Sequence, residues 1–103
     1  MSYTGNVLVL KLVTGEEVIG RLASSNIEPD KVVLENILAV GYEIKAPGQF
    51  GFGFMPYSPL TEDVKTFSNN MVVYQTKPKE QLLQAYNKTT GAIVVPKQDI
   101  LLS

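Results

Sequence analysis

The chain is predicted to fold as an all-β domain, a small, strongly bent five-stranded barrel with a short C-terminal helix. Three observations carry that prediction. Apolar residues alternate in facing over several short runs, the period-two signature of strands. Gly20 stands inside one of those runs, where a strand that closes a small barrel must bend. A single helical signal appears late, after Lys77-Pro78.

Composition bounds the rest. A chain of 103 residues with 45% hydrophobic content fits one domain and one core. The barrel is expected over about 6–76, the helix over about 78–89 and a tail over 92–103. Neither Cys nor His occurs, so disulfides, thiolate metal sites and Cys nucleophiles are excluded, and the commonest general base and metal ligand are missing. The start Met1-Ser2-Tyr3-Thr4 lacks a basic leader, and the apolar run Val7 to Val13 is short and broken by Lys11. Neither export nor membrane spanning is expected, and the compartment is read as cytoplasmic. Nine basic and ten acidic residues leave a net charge of −1, which gives little unspecific attraction to phosphate.

The strands follow in order. Leu8, Leu10 and Leu12 face one side of the first run, and Val7, Val9, Lys11 and Val13 the other, so this strand is covered on both faces. Thr14-Gly15-Glu16 is a tight connection into Glu17–Leu22, which places Val18, Gly20 and Leu22 on a common face. Ala23 to Asp30 is polar and contains Pro29, hence a loop. Lys31 to Tyr42, rich in β-branched residues, forms a long third strand, and Lys45-Ala46-Pro47-Gly48-Gln49 a turn.

Phe50-Gly51-Phe52-Gly53-Phe54 puts three rings on one face and two glycines on the other. The expected arrangement is a core strand whose glycine face lets another backbone pack close, in preference to exposed rings stacking on nucleobases. Pro56 and Pro59 lack N–H donors, so Met55 to Pro59 is not a paired central strand. Thr61 to Asn70 mixes turn residues with a candidate short strand around Val64 to Phe67, whose path the sequence leaves open, and a final strand is expected over Met71 to Thr76. In the helix, Glu80 lies near the positive end of the dipole, Leu82, Leu83 and Tyr86 share a face, and Thr90-Gly91 ends it. Ala92 to Val95 is extended, and Ile100-Leu101-Leu102 adds apolar residues at the end.

Chemistry-bearing groups are few. Glu16-Glu17 and Glu62-Asp63 are adjacent carboxylates of the kind that hold Mg²⁺ or do acid-base work. Both pairs fall at turns, where solvated charge is the ordinary outcome. Ser24, Ser25 and Ser68 have no His to activate them, and no phosphate-cradling glycine loop precedes a helix. The chain reads as a non-enzyme without cofactors.

The pattern Gly15-Glu16-Glu17-Val18-x-Gly20-x-Leu22, a polar loop, then Val32-Val33-Leu34-Glu35-Asn36-Ile37 resembles the first signature motif of the Sm-like (LSm) family. With its Pro56-Tyr57-Ser58-Pro59 segment and trailing helix, the chain is most similar to the Sm-like proteins of tailed phages, including cyanophages, which implies the host cytoplasm. Such proteins pair the fourth strand of one subunit with the fifth of the next, closing homo-oligomeric rings of about five to seven subunits. Physically, this covers the free edges of an open barrel. The corresponding interface residues here are Phe50, Phe52, Phe54, Tyr57, Met71, Val73 and Tyr74.

The resemblance further implies RNA as a partner. Sm-like rings hold uridine-rich RNA at the pore through an Asp and an Asn before the third strand and an Arg-Gly or Lys-His element before the fifth. Here the first two positions look like Asn26 and Lys31, and Ser68-Asn69-Asn70 stands in place of the second element. Asn26, Lys31, Asn69 and Asn70 are therefore the candidate nucleic-acid contacts, with weak and unspecific binding expected. The competing reading is a ring that organises protein partners without touching RNA.

Overall fold

The computed structural model describes residues 6–23 and 30–91. Asn26, most of the first polar loop and the tail 92–103, with its expected extended segment, lie outside the described residues. The strands are β1 (Val7–Leu12), β2 (Glu17–Leu22), β3 (Lys31–Ala46), β4 (Gln49–Pro56), β5 (Lys65–Ser68) and β6 (Val72–Thr76). A 3₁₀ turn over Asn69–Met71 joins β5 to β6, and the helix α1 spans Glu80–Thr90.

All pairings are antiparallel, and the sheet runs β4-β3-β2-β1-β6. The short β5 pairs with the beginning of β3, Lys31 opposite Ser68 and Leu34 opposite Lys65. Leu34 also pairs with Leu22, and Leu38 pairs with both Ile19 and Pro56. Hence β4 and β5 lie in succession along the same edge of β3, across from β2. Two strands, β4 and β5, thus share the fourth position of the expected five-stranded barrel, which is broken between Pro56 and Lys65. Two prolines that cannot donate to a ladder cause the break, and Ser58, at φ 51°, turns the chain with the Thr61 amide donating to its carbonyl at 3.1 Å.

The third strand runs past its expected end at Tyr42 as far as Ala46, which narrows the turn to Pro47-Gly48, with Gly48 at φ 77°. The expected core role of the glycine-aromatic strand holds for Phe54, which packs against a buried cluster, but not for the exposed Phe50 or for the glycine face. β4 is an edge strand; a Cβ on Gly53 would meet nothing within 4 Å, and one on Gly51 only the Lys45 side chain. No backbone packs on the glycine face because no strand lies beyond β4 among the described residues.

Two apolar clusters fill the two faces of the bent sheet. One joins Leu10, Leu12, Val18, Val32, Leu34, Ile37 and Phe67. The other joins Val9, Ile19, Val40 and Tyr86, with Leu82 and Phe54 packed against it. Successive residues of β1 therefore serve different clusters, as its alternation requires. Full burial of each large aliphatic side chain contributes about 1.5–3 kcal/mol.

A bulge in β3 exchanges the two faces. Ile19 pairs with Leu38 and Arg21 with Glu35, so Gly20 alone stands opposite Asn36 and Ile37. Asn36 takes φ 54°, in the left-handed region that Asn tolerates better than branched residues. Before the bulge the even residues Val32 and Leu34 enter the first cluster; after it Ile37 does, while Leu38 and Val40 turn to the second. Backbone crowding at this point explains Gly20. A Cβ there would lie 3.1 Å from Leu34 Cβ and 3.2 Å from the Glu35 carbonyl oxygen.

Helix α1 locks the bulge from outside. It starts at Glu80, two residues after Pro78, and ends at Gly91 in the left-handed conformation. Tyr86 is fully buried and its hydroxyl donates to the Asn36 carbonyl at 2.6 Å. Beneath it Arg21, the sole arginine, is 8% exposed. Its guanidinium lies 5.5 Å from the Tyr86 ring centre and donates to Asn87 Oδ1 at 3.1 Å. No helix among the described residues is long and apolar enough to cross a membrane.

Candidate functional site

Three surfaces emerge from this frame. The first is a polar rim at the start of β3. The β3–β5 pairing sets Lys31 opposite Ser68, and the Asn69 amide donates to the Asp30 carbonyl at 3.1 Å. Residues nearly forty positions apart in sequence, Lys31 with Asn69 and Asn70, thus meet at one end of the barrel, all exposed. Asp30, also exposed, stands beside them. Asn26, the fourth candidate contact, lies outside the described residues.

The second surface is the pair of sheet edges. Among the described residues β4 ends the sheet on one side and β6 on the other. On β4, Phe50 is 69% exposed, while Phe52 is half-buried. Phe54 turns inward, its ring 6.4 Å from that of Tyr86. Tyr57, just past β4, packs beside Phe67 with ring centres 6.4 Å apart. Phe54 and Tyr57 therefore spend their rings within the chain. On the other edge Lys11 pairs with Tyr74 and Leu12 with Val72, so Val73 is the extra residue of a bulge and is 61% exposed. Met71 and Tyr74 are exposed beside it.

The third surface is a groove of about 450 Å³ that the sequence did not reveal. It opens on the sheet face that α1 covers, beyond the start of the helix. Tyr42, Phe50 and Phe52 line one side, and Tyr74, Thr76, Lys77 and Lys79 the other. Glu17 lies between them, held by the Tyr42 hydroxyl, which donates to Oε1, and by the Tyr74 hydroxyl, which donates to Oε2 at 3.5 Å. Tyr42 and Phe50 meet edge to face, with centroids 6.5 Å apart. Partial burial, then the bond to Glu17 and that residue's negative charge, push the Tyr42 hydroxyl up to about 12. It therefore remains a donor at neutral pH.

The adjacent carboxylates expected at the first turn have thereby separated. Glu16 stays exposed and accepts from the Thr14 hydroxyl at 3.2 Å, whereas Glu17 enters β2 on the face of Ile19 and Arg21. That period was readable in the sequence. The apposition of Tyr42 was not, because the Asn36 bulge resets the facing of β3 before it. Glu62 and Asp63 are both exposed, and the described residues hold no group of three or more acids able to bind a metal.

Fold and surfaces together define a small, barrel-like all-β domain with open strand edges and one helix-capped face. No protein-family model matches the chain, and no curated protein matches it.

Proposed function

We propose that the protein is a non-enzymatic, Sm-like subunit that assembles edge to edge into a closed homo-oligomeric ring, with β4 of one copy pairing with β6 of the next. One observation carries the reading: among the described residues both ends of the sheet are strands with no further partner, and they bear exposed apolar residues, Phe50 and Met55 on β4 and Val73 and Tyr74 on β6. Unpaired edges of this kind invite pairing with another chain. Because the two edges differ, the contact is head to tail, and such a contact forms a ring when its rotation closes.

RNA is the ligand in this reading, held weakly and with low specificity at the rim. Lys31 meets phosphate, while Asn69 and Asn70 hydrogen-bond base edges. Ring symmetry repeats Lys31 around one opening and concentrates its potential. Fluorescence anisotropy with oligo(U) and oligo(A) at low and moderate salt tests this ligand. Absence of binding at both salts moves the conclusion to the protein-organising ring. Sedimentation velocity tests the ring itself, and a stable monomer at micromolar concentration refutes it.

A further inference from the structure

We propose that the groove beside α1 binds a basic side chain of a partner polypeptide, with the cation seated on Glu17 between the aromatic rings and a nearby acidic residue of the same segment on Lys77 and Lys79. The argument starts from Glu17. A carboxylate offers about four lone-pair directions, and the two tyrosine hydroxyls use one on each oxygen. Acceptor capacity remains, and the hydroxyls fix the orientation of the acid before any ligand arrives.

The walls suit a cation. Tyr42, Phe50 and Tyr74 are 55%, 69% and 48% exposed, and aromatic faces attract ammonium and guanidinium groups, most strongly when water is displaced. A guanidinium also stacks on such rings while donating to a carboxylate. Glu17 repels a phosphate from the floor, which disfavours a nucleotide there. The two lysines on the opposite lip call for an anion, so charge complementarity selects a segment that carries both signs. A volume of about 450 Å³ lies within the usual range for ligand sites, about 300–1,000 Å³. All of its lining residues belong to one copy of the chain, but Phe50 and Tyr74 also stand on the two edges that pair in the proposed ring, so binding is measured on the Val73→Lys monomer as well as on the wild-type chain.

The test uses the full chain and the peptide acetyl-Arg-Ala-Glu-amide, followed through the ring signals of Tyr42 and Tyr74 by NMR. Saturable shifts are expected, and Glu17→Gln should weaken binding about tenfold or more, the loss of one charge-assisted contact. That variant still accepts from one tyrosine through its amide oxygen and donates its Nε2–H to the hydroxyl oxygen of the other, and an unchanged amide spectrum outside the groove verifies its fold. Replacing arginine by norleucine in the peptide should abolish the shifts, and Lys77→Ala with Lys79→Ala should weaken binding only of peptides that carry the acid. Lack of saturable binding, undiminished binding by Glu17→Gln, equal binding of the norleucine peptide, or tighter binding of adenosine monophosphate in the groove would each overturn the assignment.

Discussion

Substituting Gly20 by alanine probes the feature that shapes the barrel. The new methyl carbon would stand 3.1 Å from Leu34 Cβ, 3.2 Å from the Glu35 carbonyl oxygen and 3.2 Å from Ile37 Cγ1. The carbonyl belongs to the β3 bulge, which the Tyr86 hydroxyl and the β2 ladder hold in place, so it cannot retreat without loosening the helix. Overpacking of this kind costs about 1–3 kcal/mol. Restricting the unfolded chain returns about 0.4–1 kcal/mol, leaving a net loss of roughly 0.5–2 kcal/mol. For a domain of this size that corresponds to a fall in Tm of roughly 3–10 °C, read by circular dichroism on heating and by urea titration. Gly53→Ala is the control, because nothing lies within 4 Å of its added carbon; it should leave Tm unchanged or raise it. Equal stability of Gly20→Ala and wild type would refute the role given to the bulge.

Further outcomes follow from the same contacts. Tyr86→Phe removes the donor to the Asn36 carbonyl and should cost about 1 kcal/mol in urea unfolding, with no change in assembly. The Tyr86 hydroxyl, raised by burial to about 12 from an ordinary 10.0, binds its proton more tightly in the folded chain. Its stabilising share is complete below about pH 10 and is lost as pH rises towards 12, so stability should fall over that window and fall less in Tyr86→Phe; Tyr42, half-exposed and screened, adds less. Val73→Lys places a charge on the free β6 edge, and sedimentation should show dissociation of the assembly with Tm of the monomer nearly unchanged. Lys31→Ala should weaken oligo(U) binding and flatten its salt dependence; unchanged affinity would place the nucleic-acid contact elsewhere.

Most of the fold was legible because alternation needs no knowledge of distant partners. Leu8 to Leu12 and Val18 to Leu22 declared their facing directly, and the place of Gly20 inside a strand marked it as special, though as a bend where the structure shows a close approach to the β3 bulge. What escaped depended on a local break in period. Asn36, an unremarkable polar residue in the run Val32 to Ile37, adopts a left-handed backbone and inverts every facing after it, so Tyr42 and the groove around Glu17 were hidden. The exposure of Phe50 and of the glycine face escaped the core reading for a related reason. An apolar run looks like a core strand until the order of the sheet shows that it ends there. Lys31 and Asn69 came together as candidates through resemblance, and the β3–β5 register brings them to one rim.

The mass of the native assembly, measured at micromolar concentration by sedimentation or native mass spectrometry, tests the edge-pairing claim most directly. A single species of about five to seven subunits, reduced to monomer by Val73→Lys, is the predicted result. A folded wild-type monomer that persists across the micromolar range would contradict it.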